Sequence, residues 1–209
     1  MDTATNYLLI VEDDPDILKL LDATLTFKGY RVITARNGRE GLEAMQVNRP
    51  AIVVADIMMP QLDGFGLVHR MRLNPQTRDI PVVIITATYV AREDRDFALS
   101  IGATRFLEKP IELDKFLKII AEILEQRLPA IPQSFNEIDF YNEYRRRLEA
   151  KLAEKGKQIA REEHLLKTGA NKEDSALQAS LRQAIRDRRE LQLLIAQVHE
   201  QLENYARPE

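Results

Sequence analysis

The chain has 209 residues, with 30 Lys+Arg against 33 Asp+Glu, a formal net charge of -3, 44% hydrophobic residues and no cysteine. That length holds one domain with an addition, or two small domains. The charge balance gives no global attraction to nucleic acid or an anionic membrane, and the absence of cysteine excludes disulfides and thiolate chemistry. No apolar run reaches roughly 18 residues and no signal-peptide pattern opens the sequence, so a cytoplasmic protein that does not enter the membrane is expected.

Tyr7-Leu-Leu-Ile-Val11 is a short apolar run and predicts a first buried strand. Glu12-Asp13-Asp14-Pro15 follows, and Ile17, Leu20, Leu21 and Leu25 then have helical spacing up to Gly29. Asp14 or its neighbour suits an N-cap, with Pro15 in the first turn. Tyr30 to Thr34 predicts a second strand, and Asn37-Gly38 opens a helix with Leu42 and Met45 inward. Ala51-Ile-Val-Val-Ala-Asp56 reads as a strand buried on both faces that ends on a carboxylate. Met-Met-Pro60 breaks it, Asp63-Gly64 turns the chain, and Phe65, Leu67, Val68 and Met71 mark the next helix.

Pro81 to Thr86 predicts a fourth strand, apolar until its last residue, and 92–100 a helix ended by Gly102. Thr104 to Glu108 predicts a fifth strand, closed by Lys109-Pro110. Leu113, Phe116, Leu117, Ile120 and Leu124 then form the apolar stripe of a helix reaching about Arg127. Such regular alternation of strand and helix predicts a doubly wound α/β fold with a parallel sheet and right-handed crossovers.

In that fold the ends of strands one, three, four and five open on one edge, where ligands bind. Asp13, Asp14, Asp56, Thr86 and Lys109 then converge. Singly, each has an ordinary reading as a helix cap, a strand end or a solvated lysine; together they form a site. Crowded carboxylates repel one another unless a hard cation such as Mg²⁺ joins them. Lys109 supplies a compact positive charge and Thr86 a hydroxyl donor. The set suits phosphoryl transfer to Asp56 as the in-line nucleophile.

Val11-Glu-Asp-Asp-Pro-Asp16, Asp56-Ile-Met-Met-Pro-Gln-Leu-Asp-Gly64, Ile85-Thr-Ala87 and Phe106-Leu-Glu-Lys-Pro110 resemble the receiver domain of two-component response regulators, the CheY-like family. The resemblance spans about residues 5–127. It implies a flavodoxin-like sheet of order 2-1-3-4-5 and phosphorylation of Asp56 by a sensor histidine kinase with Mg²⁺. It implies Asp13, Asp14, Asp56 and the backbone carbonyl of Met58 as metal ligands, and Lys109 as the phosphate-binding lysine. A cis Lys109–Pro110 bond and a switch pair of Thr86 and Phe106 follow as well. Phe106 lacks a hydroxyl to hold an outward form, so its inward form is expected to meet less opposition. Met58 and Thr88 occupy positions that influence dephosphorylation in that family. Such a protein is a signalling switch and not a turnover enzyme; it catalyses only its own phosphoryl transfer and autodephosphorylation.

Residues 1–128 are thus expected to form the receiver and 129–136 a linker, where Pro129 and Pro132 exclude a helix. Residues 137–209 are expected to form an all-α antiparallel hairpin or coiled coil. Its first helix carries Tyr141, Tyr144, Leu148, Leu152, Ile159 and Leu166, and Gly169 ends it. A second helix starts at the capping-box form Ser175-Ala-Leu-Gln178. Leu177, Leu181, Ala184, Leu191, Ile195, Val198, Leu202 and Tyr205 give it a heptad seam, interrupted by Arg188. From Gln133 onward 14 basic residues balance 14 acidic ones, which disfavours DNA reading. The hairpin is expected to dimerise or to bind a downstream protein. Phosphorelay through His164, which sits at a helix end and is followed by Leu165 where kinase dimerisation helices usually carry an acid, and an unusual DNA-binding output are the alternatives.

Overall fold

The computed structural model describes residues 7–86, 92–126, 137–168 and 175–206. The first part alternates β1 (Tyr7–Val11), α1 (Pro15–Phe27), β2 (Arg31–Ala35), α2 (Gly38–Val47), β3 (Ile52–Asp56), α3 (Gly64–Leu73), β4 (Val82–Thr86), α4 (Arg92–Ser100), β5 (Arg105–Glu108) and α5 (Leu113–Gln126). The strands form one parallel sheet of order β2-β1-β3-β4-β5, the flavodoxin-like arrangement expected from the sequence. Every residue of β1, β3 and β4 is buried, because these strands are covered on both faces. The edge strands are less apolar, and they expose Arg31 and Thr34 in β2 and Glu108 in β5.

Alternation along the strands sends side chains to two cores. Leu8, Ile10, Ile52, Val54, Val83, Ile85 and Leu107 pack with Leu21 and Leu25 of α1 and with Phe116, Ile120 and Ile123 of α5. Leu9, Val11, Val53, Ala55 and Ile84 are buried on the opposite face. There a Cβ on Gly41 of α2 would meet Val11 Cγ2 at 3.2 Å, and Phe65 of α3 meets Phe97 of α4 edge-on at 5.1 Å. The helices start where the sequence offers caps. Asp14 accepts from the amides of Asp16 and Ile17, Asn37 from Glu40, and Asp63 from Gly66. At the far end of α4, Gly102 takes a φ of +102° and its carbonyl accepts from Arg72 Nε at 3.1 Å and Nη2 at 2.7 Å.

The second part is α6 (Glu137–Thr168) and α7 (Ser175–Ala206). They run antiparallel, since Tyr205 bonds Glu137, His199 lies 4.0 Å from Glu149, Lys155 pairs with Asp187 at 2.8 Å and Ser180 donates to Glu162 at 2.9 Å. Phe140, Tyr144, Leu148 and Ile159 are buried on α6, and Ala184, Leu191, Leu194 and Val198 on α7. On α6 Phe140 is buried where Tyr141 is expected, and on α7 the seam differs from the expected one at three places. Leu194 is buried more deeply than Ile195, Tyr205 is 45% exposed, and Asp187 rather than Arg188 turns inward at the polar interruption. The reason is the partner helix: Lys155 faces that interruption and takes the carboxylate.

The chain divides into two compact units, Met1–Phe135 and Asn136–Glu209. The expected linker prolines, Gly169 and Thr88 lie outside the described residues. Among the described residues no helix is long and apolar enough to cross a membrane.

Candidate functional site

The site lies at the carboxyl ends of the parallel strands. β3 delivers Asp56, whose side chain is 6% exposed. Gly64 lies directly against it: a Cβ there would fall 2.3 Å from the Asp56 carbonyl oxygen, so the turn after the strand admits no side chain. Lys109 follows β5, its backbone amide donating to the Thr86 carbonyl at 2.6 Å at the end of β4. Its ammonium reaches back across the sheet edge, 2.8 Å from Asp56 Oδ1 and 2.8 Å from Glu12 Oε2. Asp56 Oδ2 accepts from the Met58 amide at 2.6 Å. The bond from Lys109 to Pro110 is cis.

Glu12, Asp13 and Asp56 each place a carboxylate oxygen within 4.8 Å of the others. The sequence led to Asp13 and Asp14 as the acid pair, whereas the carboxylates that cluster with Asp56 are those of Glu12 and Asp13. Asp14 is exposed, and its Oδ1 accepts from the amides of Asp16 at 2.9 Å and Ile17 at 3.1 Å, so it is the cap of α1. Glu12 takes the place beside Asp13. It is the first residue after β1, and its amide still donates to Ala35 of β2, which keeps it on the sheet edge. The signal was available in the Asp14-Pro15 pair, since a residue before a first-turn proline is committed to capping.

Crowding sets the charge state. Burial, and after it the Asp56 charge, pushes the Glu12 carboxyl up to about 7 against the pull of Lys109. Partial burial and Asp56 raise Asp13 also, although its tip reaches solvent. Burial alone would lower the Lys109 ammonium; the charge and hydrogen bond of Asp56, joined by Glu12, outweigh it and hold that group above the usual lysine value. An all-oxygen cluster with raised carboxyl groups has the donor set and, beyond what Lys109 offsets, the mutual repulsion that a hard divalent cation would satisfy.

Thr86 is buried at the end of β4, on the strand next to that of Asp56. Phe106 of β5 is half-buried and lines an open cleft of about 430 Å³ with Arg95 of α4 and Lys115 and Ile119 of α5. The acid cluster, Lys109 and Thr86 therefore share one sheet edge, and Phe106 lies on the strand beside Thr86. His164 is in the hairpin, near the end of α6, and exposed.

Known proteins carry the same pattern. Residues 8–121, more than half of the chain, match the family described as response regulator receiver domain. The transcriptional regulatory protein GlrR of Escherichia coli is 36% identical over 132 residues, covering 63% of this chain and 29% of that protein. An uncharacterised 14.6 kDa protein of Leptolyngbya boryana is 35% identical over 115 residues, covering 55% of this chain and 87% of that one. The crystal structure of the Vibrio cholerae chemotaxis protein CheY4 superimposes with a TM-score of 0.54 at 31% identity, covering 58% of this chain and all of CheY4. The match to GlrR thus spans less than a third of that relative's own length. With the acid cluster and its lysine at the edge of a 2-1-3-4-5 sheet, the chain belongs to the response regulator receiver domain family of two-component signalling.

Proposed function

We propose that the chain is a phosphorylation-controlled response regulator in which Asp56 accepts a phosphoryl group from a sensor histidine kinase. The observation that carries this reading is the Lys109 ammonium 2.8 Å from both Asp56 and Glu12, beside Asp13. An Asp56 carboxylate oxygen attacks the phosphorus of the phosphohistidine. The new P–O bond forms as the P–N bond breaks, and the leaving imidazole keeps the electron pair and takes up a proton. Lys109 stays charged because two carboxylates face it, and so it offsets charge on the transferred group. The Met58 amide, already on Asp56 Oδ2, orients the nucleophile. Glu12, Asp13, Asp56 and the Met58 carbonyl would hold Mg²⁺, which supplies Lewis-acid charge neutralisation when bound.

Thr86 and Phe106 form the switch in this reading. The hydroxyl donates to the new phosphoryl oxygens, and the ring on the next strand follows into the space released, remodelling the cleft it now lines. Residues 1–128 act as the receiver, 129–136 as the linker and 137–209 as a helical interaction output for a second copy or a downstream protein. The hairpin lies outside the matched residues 8–121, so the transcription-related names of relatives do not extend to it.

The test is acetyl phosphate with Mg²⁺ followed by intact-mass analysis. A single added phosphoryl group, labile to hydroxylamine and absent in Asp56→Asn, is expected; phosphate on His164 instead would overturn the assignment. Light scattering with and without beryllofluoride, using Asp56→Ala as control, then reads whether the hairpin's assembly follows the site.

A further inference from the structure

The hairpin carries an outward face that its own fold does not use. On α7, Arg186, Leu193 and Glu200 recur at seven-residue intervals, and Arg182, Ala196 and Glu203 lie beside them. Seven residues return a helix to within about 20° of the same direction, so these form one surface stripe. Leu193 lies roughly 180° around the helix from Ala184 in the buried seam. All six side chains are exposed, Leu193 to 58%, a large value for a leucine midway along a long helix.

Charge along this stripe is sorted by position. Arg182, Arg186 and Arg189 precede Leu193, with Glu190 at the margin of the stripe, and Glu200 and Glu203 follow it. Like charges three and four residues apart repel within a helix; Glu190, four residues after Arg186, offsets part of this at the basic end, and Glu200 and Glu203 repel at the acidic end. Among the described residues, Arg182, Arg189, Glu200 and Glu203 make no ion pair, while Arg186 turns to Gln183 Oε1.

We propose that a second copy of this chain docks on the stripe, α7 against α7 and antiparallel, about a two-fold axis at Leu193. A two-fold interface must be self-complementary. Here Arg186, seven residues before the axis, faces the second copy's Glu200, seven residues after it. Arg182 and Glu203 then meet about one turn further out. The two Leu193 side chains cover each other at the centre, and both repulsive ends are neutralised at once. A parallel pairing would set arginine against arginine. A polyanion such as nucleic acid would be attracted by one half and repelled by Glu200 and Glu203. Among these occupants only an inverted second copy satisfies both halves. This inference rests on the reading of the hairpin as an interaction output.

The experiment is the solution mass of the full chain across a concentration series, for the parent, Arg186→Glu, Glu200→Arg and an equimolar mixture of the two variants. Each variant alone opposes like charges twice, and its dimer dissociation constant should rise by on the order of tenfold. In the mixture each chain faces opposite charge, and dimerisation should return to the parent level. Because the chain has no cysteine, Leu193→Cys should also give a disulfide-linked dimer on mild oxidation, while exposed Ala153→Cys on α6 should not. A dimer indifferent to both charge reversals, or cross-linked through position 153 and not 193, overturns the α7 face and leaves a dimerising output standing. A chain monomeric throughout overturns the dimer altogether. Acyl phosphate formation on Asp56 reports on the receiver separately from either result.

Discussion

Glu12 and Asp14 are two residues apart and do different work, and single substitutions separate them. Asp14→Ala removes the α1 cap and should lower unfolding stability in urea by about 1 kcal/mol while leaving Mg²⁺ affinity unchanged in calorimetric titration. Glu12→Gln should do the reverse, weakening Mg²⁺ by at least roughly tenfold through loss of a carboxylate from the cluster. The raised Glu12 carboxyl also sets a pH dependence. A group whose folded value lies above its unfolded one contributes stability below its ordinary range near 4.5, and loses it as pH rises through about 7. The chelator-treated protein should therefore have a melting temperature that falls across that window. Glu12→Gln should flatten the slope, and an unchanged slope would place the titrating group elsewhere.

At the scale of the elements, two contacts are decisive. The end of α4 is held by Arg72, whose guanidinium is buried enough that its pKa falls to about 10 and which donates twice to the Gly102 carbonyl. A Cβ at Gly102 would combine a left-handed φ with a 2.7 Å approach to Arg72 Nε. Gly102→Ala should lower stability by about 1–3 kcal/mol in denaturant melts. Gly29→Ala has a similar φ of +85° and nothing within 4 Å, so it should show the smaller backbone effect alone. In the hairpin, Lys155 and Asp187 meet where apolar packing is interrupted, each less than a third exposed. Removing one partner leaves the other charge half-buried, so Asp187→Ala should destabilise by about 1–2 kcal/mol. Replacing both by leucine should be neutral or stabilising. The pair then serves register rather than net stability, because it fixes which turn of α6 faces which turn of α7.

For the molecule as a whole, the two compact units have different kinds of core. One is a sheet buried on both faces; the other is a single seam between two helices with a polar centre. Phe116 is fully buried against the sheet, and Phe116→Ala should remove about 3–5 kcal/mol from the receiver transition. A single seam between two helices covers less apolar surface than a sheet buried on both faces, so the hairpin has the smaller core of its own.

The sequence by itself determined the α/β alternation, the order of the elements and the placement of Asp56, Thr86 and Lys109 at the strand ends. Continuous apolar runs ending on polar residues have one economical reading, a parallel sheet with its chemistry at the strand ends. It also determined two antiparallel helices after the paired prolines, from apolar spacing alone. Tertiary structure decided which acid joins the cluster, because Glu12 and Asp14 are both carboxylates near one strand end. Only the backbone path past Val11 turns one toward Asp56 and the other onto the first amides of α1. It likewise decided that Asp187 and not Arg188 turns inward, since a charge at the interruption of a seam is chosen by what the facing helix presents, and that is Lys155. Periodicity names the face of a helix, while the sign of the charge that face accepts belongs to its partner.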